Sequence, residues 1–496
     1  MTAPTVSRAD IGLRSERGPV LLAVMLGTGL VALDSTILAT AVPAIVDDLG
    51  GFTQFPWLFS IYLLAQAVST PLYSKLADQY GRKPLMQLGI GLFLVGSLAC
   101  GLAWNMVSLI VFRALQGLGA GAIQPIGITI VGDLYSVEER ARVQGYIASV
   151  WAISSVVGPT LGGVFADHLS WRGIFFVNLP LGALAAVALA RNFTEKVERR
   201  PHRIDVAGAS LLALGGVTLL LALLEGGVRW GWSSAPSVVL FVVAAVALVF
   251  FVAVERRAAE PVLPLWVFGH RVLLAAMASS VIVGVLMMGL SSYVPLYAQS
   301  VLGHDALLAG LALAALTLGW PIAASNAGRL YLSIGFRATM VIGSVVAVAG
   351  TALLLTIGPG SPLLQVALPC FVMGIGFGLV ASPSVVAAQA AVDWSNRAVA
   401  TGSTMFARSI GSAVGVAVFG AIANGVVRDR LGHAAPDLEH LAPGTLHPAI
   451  HAVFVASAAV AVLLVAASAL MTAPDRGDSP ASPSLRGADR PGTMES

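Results

Sequence analysis

Charged side chains are scarce in this sequence. Asp, Glu, Lys and Arg make up 11% of 496 residues, where a soluble domain carries about 25%. So few charges cannot cover a water-facing surface of this size, which excludes an ordinary soluble fold. Cysteine is scarcer still. Cys100 and Cys370 lie inside apolar runs far apart in sequence, which argues against a disulfide framework or a thiolate metal site. No nucleophile–base cluster and no metal-ligand spacing occurs, so neither an enzyme nor a cofactor is expected. The net charge is only +3, and the basic residues fall between apolar runs. That distribution leaves no footprint for nucleic acid.

Apolar sequence is what the chain has in abundance, at 57% of all residues. Runs of about 20 apolar residues bounded by short polar turns recur along its length, the length needed to cross a bilayer as a helix. An all-α membrane protein with fourteen transmembrane helices is expected, at about 19–46, 54–77, 83–103, 106–133, 141–167, 172–191, 204–225, 236–254, 271–299, 306–330, 337–357, 361–391, 398–427 and 450–473. The first run follows Arg14 and Arg17 and contains "ATA", as a signal peptide would. It is nevertheless the first of many such runs and carries Asp34, so it is read as a span.

Topology follows from basic residues, which accumulate on the cytoplasmic side. With the N-terminus inside and the sides alternating, twenty-two of the 28 basic residues fall in cytoplasmic segments and four outside. The other two, Arg113 and Arg408, fall within helices. Both termini are therefore expected in the cytoplasm. The tail 474–496, rich in Pro, Ser, Gly and charge, is expected to be disordered.

An internal repeat sets the domain plan. "SKLADQYGRK" (74–83) and "GRLYLSIGFR" (328–337) align as small residue, base, Leu, then Gly and a base at the end. Both link the second and third helices of a six-helix unit if helices 7 and 8 are an insertion. The plan is a cytoplasmic N-terminus (1–18), a six-helix bundle (19–191), an inserted hairpin with its linkers (192–270), a second six-helix bundle (271–473) and the tail. Two pseudo-symmetric bundles with a site between them form a transporter architecture. The second copy has Leu332 where the first has Asp78.

Within the first apolar run, "VALDSTILATAVPAI" (31–45) holds the carboxylate of Asp34. An ionised acid at mid-membrane is unfavourable by roughly 3 kcal/mol on insertion scales. Burial favours the neutral form and a nearby cation the charged form. An acid balanced between the two can gain and lose a proton. Arg113 is the natural partner, and Gln116 lies one turn along the same helix.

These residues carry a family resemblance. "LDSTILATAVP", "KLADQYGRK", "RALQGLGAG", "GPTLGG", "WRGIFFVNLPLG" and "ATGSTMFARSIGSAVG" resemble motifs of the major facilitator superfamily, in its fourteen-helix drug:proton antiporter group. Two departures are visible: Ser74 stands where the loop signature usually begins with Gly, and Gln79 where a base is common.

The resemblance implies a proton-coupled antiporter of a bacterial plasma membrane that exports hydrophobic or cationic drugs by alternating access and so gives drug and antibiotic resistance. Its partners would be a small lipophilic substrate, protons and membrane lipid, and it would act as a monomer. Asp34 and Arg113 would couple protons. Asp78, Gly81, Arg82 and Lys83 would form a latch holding the cytoplasmic side closed. The glycines and proline of Gly158, Pro159, Gly162 and Gly163 would seal the interface between the halves, with Gly411 and Gly415 as a later equivalent. Gln116, Trp151, Trp320 and Arg408 are candidates to line the substrate cavity; for Arg408, a clamp on neighbouring helices is an equal alternative. Most of the nine tryptophans fall near expected helix ends, as an interfacial belt does. The alternative cargo is an endogenous lipid or other lipophilic metabolite.

With one deep acid, the simplest stoichiometry is one proton per substrate. A proton crossing about 100 mV releases about 2.3 kcal/mol, and one pH unit adds about 1.4 kcal/mol.

Overall fold

The computed structural model describes residues 12–50, 57–195, 205–226, 229–258, 261–304, 306–431 and 443–472. The tail and most of the linker between helices 6 and 7 lie outside them. The described residues form fourteen long helices: α1 (Gly18–Leu49), α2 (Trp57–Tyr80), α3 (Arg82–Gly101), α4 (Met106–Leu134), α5 (Val137–His168), α6 (Asn178–Asn192), α7 (Val206–Glu225), α8 (Ala235–Glu255), α9 (Arg271–Ser300), α10 (Ala306–Ile334), α11 (Phe336–Leu354), α12 (Leu363–Ala390), α13 (Arg397–Leu431) and α14 (Pro443–Ala469). Single helical turns, Gly173–Phe176 and Trp266–Gly269, precede α6 and α9. The last helix starts seven residues before the expected 450.

Local chemistry sets several boundaries. Asn105 and Ser136 cap α4 and α5 with reciprocal bonds from Ser108 and Glu139, so two free backbone donors are satisfied at each start. The repeat seen in the sequence is a repeat of one turn. Gly81 and Gly335 each separate two helices at φ 100° and 87°, a region that L residues with a Cβ avoid.

Among the described residues, thirteen helical segments are long and apolar enough to cross a membrane. The exception to the expected fourteen is α2, which is long enough but polar. Its polar side chains are spent on a neighbouring helix. Ser69 and Thr70 donate to the carbonyls of Leu118 and Gly121, and Gln66 meets Gln124, all on α4. A helix covered this way does not need a lipid-facing composition.

Packing closes eight helices into a ring. Each packs on the next in the order α13, α9, α12, α10, α5, α1, α4, α2 and back to α13. Outside the ring, α3 lies on α4, α6 on α1, α11 on α12 and α14 on α9 and α11. The hairpin of α7 and α8 also lies outside, with α7 against α2 and α13.

The glycine motifs serve the ring differently from the expectation. A Cβ on Gly158 would collide with Thr36, and one on Gly162 with Thr40 and the Ile37 carbonyl, all on α1. Thr36 also donates to the Ser154 carbonyl of α5 at 3.0 Å. Gly411 and Gly415 likewise lie against the backbone of Val281 and Val285 on α9. Each glycine pair thus joins the first and fifth helices inside one half, and does not seal the two halves together. Gly163 faces open space. The side chain of Pro159 lies outside the described residues, although α5 runs through its position.

Gly158→Leu should therefore force α1 from α5. Overpacking of this kind is unfavourable by about 1–3 kcal/mol, so the melting temperature in detergent should fall by several degrees. Gly163→Leu, at an open position, should melt like wild type. Equal melting of both variants would contradict the packing role.

Candidate functional site

Five helices converge on Asp34. Its Oδ2 accepts from Arg113 Nη1 at 2.7 Å, and its Oδ1 from Gln116 Nε2 at 2.8 Å and Asn178 Nδ2 at 3.1 Å. Arg113 also donates to Gln116 Oε1 at 2.7 Å and, through Nε, to the Leu58 carbonyl of α2 at 3.1 Å. The Tyr62 ring covers its guanidinium at 4.2 Å. Ser97 on α3 accepts from Asn178 and Gln116. Asp34 and Arg113 are each 1% exposed.

Both carboxylate oxygens of Asp34 have donors, and Arg113 has acceptors for Nη1 and Nε, the kind of pairing under which a buried ion pair persists. Removing one partner from such a pair is destabilising by about 3–5 kcal/mol. Sequence reasoning brought together Asp34, Arg113 and Gln116. The structure places Gln116 wholly in this cluster, at 0% exposure, rather than on a space between the halves. Asn178, Ser97 and Tyr62 were missed. The signal for Asn178 was present, as the amide inside "FVNLPLG". The cluster also involves α3 and α6, which lie outside the ring, so Asp34 is turned away from the ring's interior.

A second cluster closes one end of the ring. Asp78, near the end of α2, accepts from the backbone N–H groups of Ala398 and Val399 at 3.3 and 3.0 Å. Those groups are the unpaired donors at the start of α13, where a helix dipole favours an anion. Arg82 binds Asp78 at 2.8 Å and Asp133 at 3.0 Å, donates to the Trp394 carbonyl at 2.8 Å, and lies 3.8 Å over the Trp394 ring. Arg397 completes the bridge to Asp133 at 3.2 Å. Lys83 instead reaches back to the Ala190 carbonyl of α6, and Gly81 supplies the turn. Glu195 accepts from the backbone of Arg82 and Lys83. Nearby, Gln389 of α12 binds the Ile128 carbonyl and meets Arg140, which also donates to the Gly132 carbonyl. Every one of these last bonds except the Gly132 one crosses between residues of the first and second halves. Asp133, Trp394, Arg397, Gln389 and Glu195 were not found from sequence.

At the opposite end, among the described residues, bonds stay within one half or the other: Tyr297 meets His447 at 3.0 Å inside the second half. Arg172 binds Asp48 at 2.6 Å and Trp171 Nε1 donates to it at 3.0 Å. Both bonds, Arg172's first, hold the exposed Asp48 carboxyl below its ordinary range.

The remaining candidates lie elsewhere. Trp151 on α5 is 38% exposed. Trp320 on α10 packs edge-on to Phe377 of α12, with ring centroids 6.1 Å apart. Arg408 on α13 reaches to 5.7 Å from the Trp320 ring, so these two are brought together and Trp151 and Gln116 are not part of their group. No group of three metal-ligating side chains occurs among the described residues.

Comparison with known proteins agrees with this architecture. Residues 24–416 match the family model described as Major Facilitator Superfamily. The chain is 36% identical over 417 residues to Multidrug resistance protein 3 of Bacillus subtilis, covering 84% of this chain and 81% of that one. It is 34% identical to the Multidrug transporter protein MdtP of the same organism, over 83% of this chain and 76% of that one. It is also 34% identical to the Efflux pump dotC of Dothistroma septosporum, over 80% and 70%. Among solved structures, the human organic anion transporter MFSD10 superposes with a TM-score of 0.65, covering 91% of this chain and 99% of that one. At 16% identity that likeness speaks to the fold alone.

Asp78→Asn should loosen the closed end, because the start of α13 loses its anion and Arg82 loses a partner. Ser325 and Gly145 face each other there, across α10 and α5, at 3.4 Å from an added Cβ. A cysteine replacing Ser325 should react with a water-soluble maleimide several-fold faster in the Asp78→Asn background. An unchanged labelling rate would leave Asp78 without a latch role.

Proposed function

The chain belongs to the Major Facilitator Superfamily, and on that premise we propose that it exports hydrophobic, drug-like compounds in exchange for protons by alternating access. It is a multi-pass membrane transporter and not an enzyme. The observation that carries the proton-coupled reading is the Asp34–Arg113 pair, buried and hydrogen-bonded inside the first half. The finer architecture is part of the same proposal: fourteen spans, six-helix bundles at 19–191 and 271–473, the hairpin 192–270 inserted between them, and both termini in the cytoplasm of a bacterium. The recurrent pairing of first with fifth helix, and of second helix with the other half's fifth, supports two pseudo-symmetric bundles.

In this reading the Asp78 end is cytoplasmic and the structure is the cytoplasm-closed form. The two clusters share one lever. At its outer end α2 gives the Leu58 carbonyl and the Tyr62 ring to Arg113; at its inner end it gives Asp78 to α13. Protonation of Asp34 removes the charge that holds Arg113. Arg113 then pulls on α2 differently, and the contact of Asp78 with α13 changes with it. Substrate and proton need not meet, because Asp34 faces the bundle core and not the ring. With one proton per cycle, 100 mV and one pH unit together concentrate a neutral compound roughly several hundredfold.

Proteoliposomes with pH gradient and voltage set separately test this. Wild type should acidify or alkalinise the lumen only when substrate is added. Asp34→Asn should insert and bind substrate but accumulate none uphill, and Arg113→Ala should behave alike. Arg113→Lys should keep part of the activity if charge is what matters, and none if the forked geometry is needed. Uphill transport by Asp34→Asn at the wild-type rate would remove Asp34 from coupling. A lipid cargo would show instead as transbilayer movement of labelled phospholipid with no flux of drug.

A further inference from the structure

Arg408 stands in the opposite half from the coupling pair and has a different environment. Among the described residues it forms no ion pair, and its buried Nε has no hydrogen-bond partner. A cation in a membrane protein's interior is retained where it lines a water-filled space or meets an opposite charge.

Its position in the ring is fixed by neighbours. Thr401, two turns earlier on α13, accepts from Gln389 Nε2 of α12 at 2.9 Å, which sets the inward face of α13. A spacing of seven residues puts Arg408 on that face. The side chain then approaches Trp320 of α10 to 5.7 Å. Around the ring α13 and α10 are separated by α9 and α12, so the two side chains meet across the inner face of those helices. The acids of the two described clusters are bonded elsewhere: Asp34 inside the first bundle, and Asp78 and Asp133 to Arg82, Arg397 and the start of α13.

From this we propose that Arg408 and Trp320 form the recognition point for a lipophilic organic monoanion within the ring. The guanidinium takes the carboxylate, phenolate or phosphate group through charge-assisted bonds, and the rings of Trp320 and Phe377 take the apolar body. The inference rests on the exporter reading and narrows its cargo. A lipophilic cation, allowed by the sequence, meets the uncompensated guanidinium and binds less well.

Tetraphenylborate and tetraphenylphosphonium are near-isosteric ions of opposite charge, so they test sign at constant shape. Binding of each to purified protein in neutral detergent is measured by equilibrium dialysis against empty micelles. Wild type should bind the borate at least tenfold more tightly than the phosphonium. Arg408→Gln should lose about tenfold for the borate and lose nothing for the phosphonium, with Arg408→Lys in between. Trp320→Leu should weaken both. Displacement of the borate by phosphatidylglycerol supports an anionic lipid as the natural occupant, and its failure to displace supports a free organic acid. Equal binding of the two probes by wild type, or tighter binding of the phosphonium, overturns the proposal whether or not Arg408→Gln folds; so does an unchanged ratio in a folded Arg408→Gln. Because binding is read without transport, loss of the export reading in proteoliposomes would be seen separately from loss of the anion site.

Discussion

A carboxylate and a guanidinium shut away from both water and lipid must satisfy each other, and the first half of this molecule is arranged around that requirement. Asp34 and Arg113 together use Gln116, Asn178, the Leu58 carbonyl and the Tyr62 ring. Those groups come from three helices besides α1, and Ser97 of α3 stands behind Gln116 and Asn178. None of α1, α2, α4 and α6 can shift far without breaking a bond to a buried charge, and such breakage is unfavourable by several kcal/mol. The same property makes the cluster responsive. In the proposed cycle, one proton on Asp34 would remove the counter-charge at the centre, and the loss would be felt on every helix that contributes to it.

The response has a short physical route. One helix, α2, touches the charge pair near its start and the other half of the molecule near its end. Among the described long helices it is the one without an apolar membrane-length stretch, and both its ends and its α4-facing side are bonded rather than greased. The closed end that it reaches consists of an acid on a helix start, an arginine shared between two acids and an aromatic ring, and an amide bridging to α4. At the opposite end, among the described residues, the bonds stay inside each half. That asymmetry is what the proposed cytoplasm-closed form requires; in the second half Leu332 stands where the first has Asp78, so the proposed latch would exist in one copy of the repeat.

The sequence made some of this legible for definite reasons. Asp34 and Arg113 are visible because a formal charge in an apolar run has few permissible explanations. The helix count was nearly legible from hydropathy, and the repeat predicted a shared turn because Gly81 and Gly335 occupy a conformation other residues avoid. Neutral polar partners were not legible. Asn178, Ser97 and Tyr62 look like ordinary residues until packing brings five helices to one point. Glycines announced close approach but not the partner, so Gly158 and Gly162 were assigned to the wrong interface. The latch partners Asp133, Trp394 and Gln389 are hundreds of residues apart in part and meet only through the ring.

The most direct measurement is the protonation of Asp34 in each of two conformations. A disulfide between cysteines replacing Gly145 and Ser325, whose Cβ atoms would stand 3.4 Å apart, close to the separation a disulfide needs, locks the closed form. Asp78→Asn favours the open one. Infrared difference spectra against the matching Asp34→Asn protein, at one pH, then isolate the carboxyl of Asp34. An ionised carboxylate in the locked form and a protonated carboxyl band in the open form is the expected result. The same band in both forms would contradict a proton carried by Asp34 through the cycle.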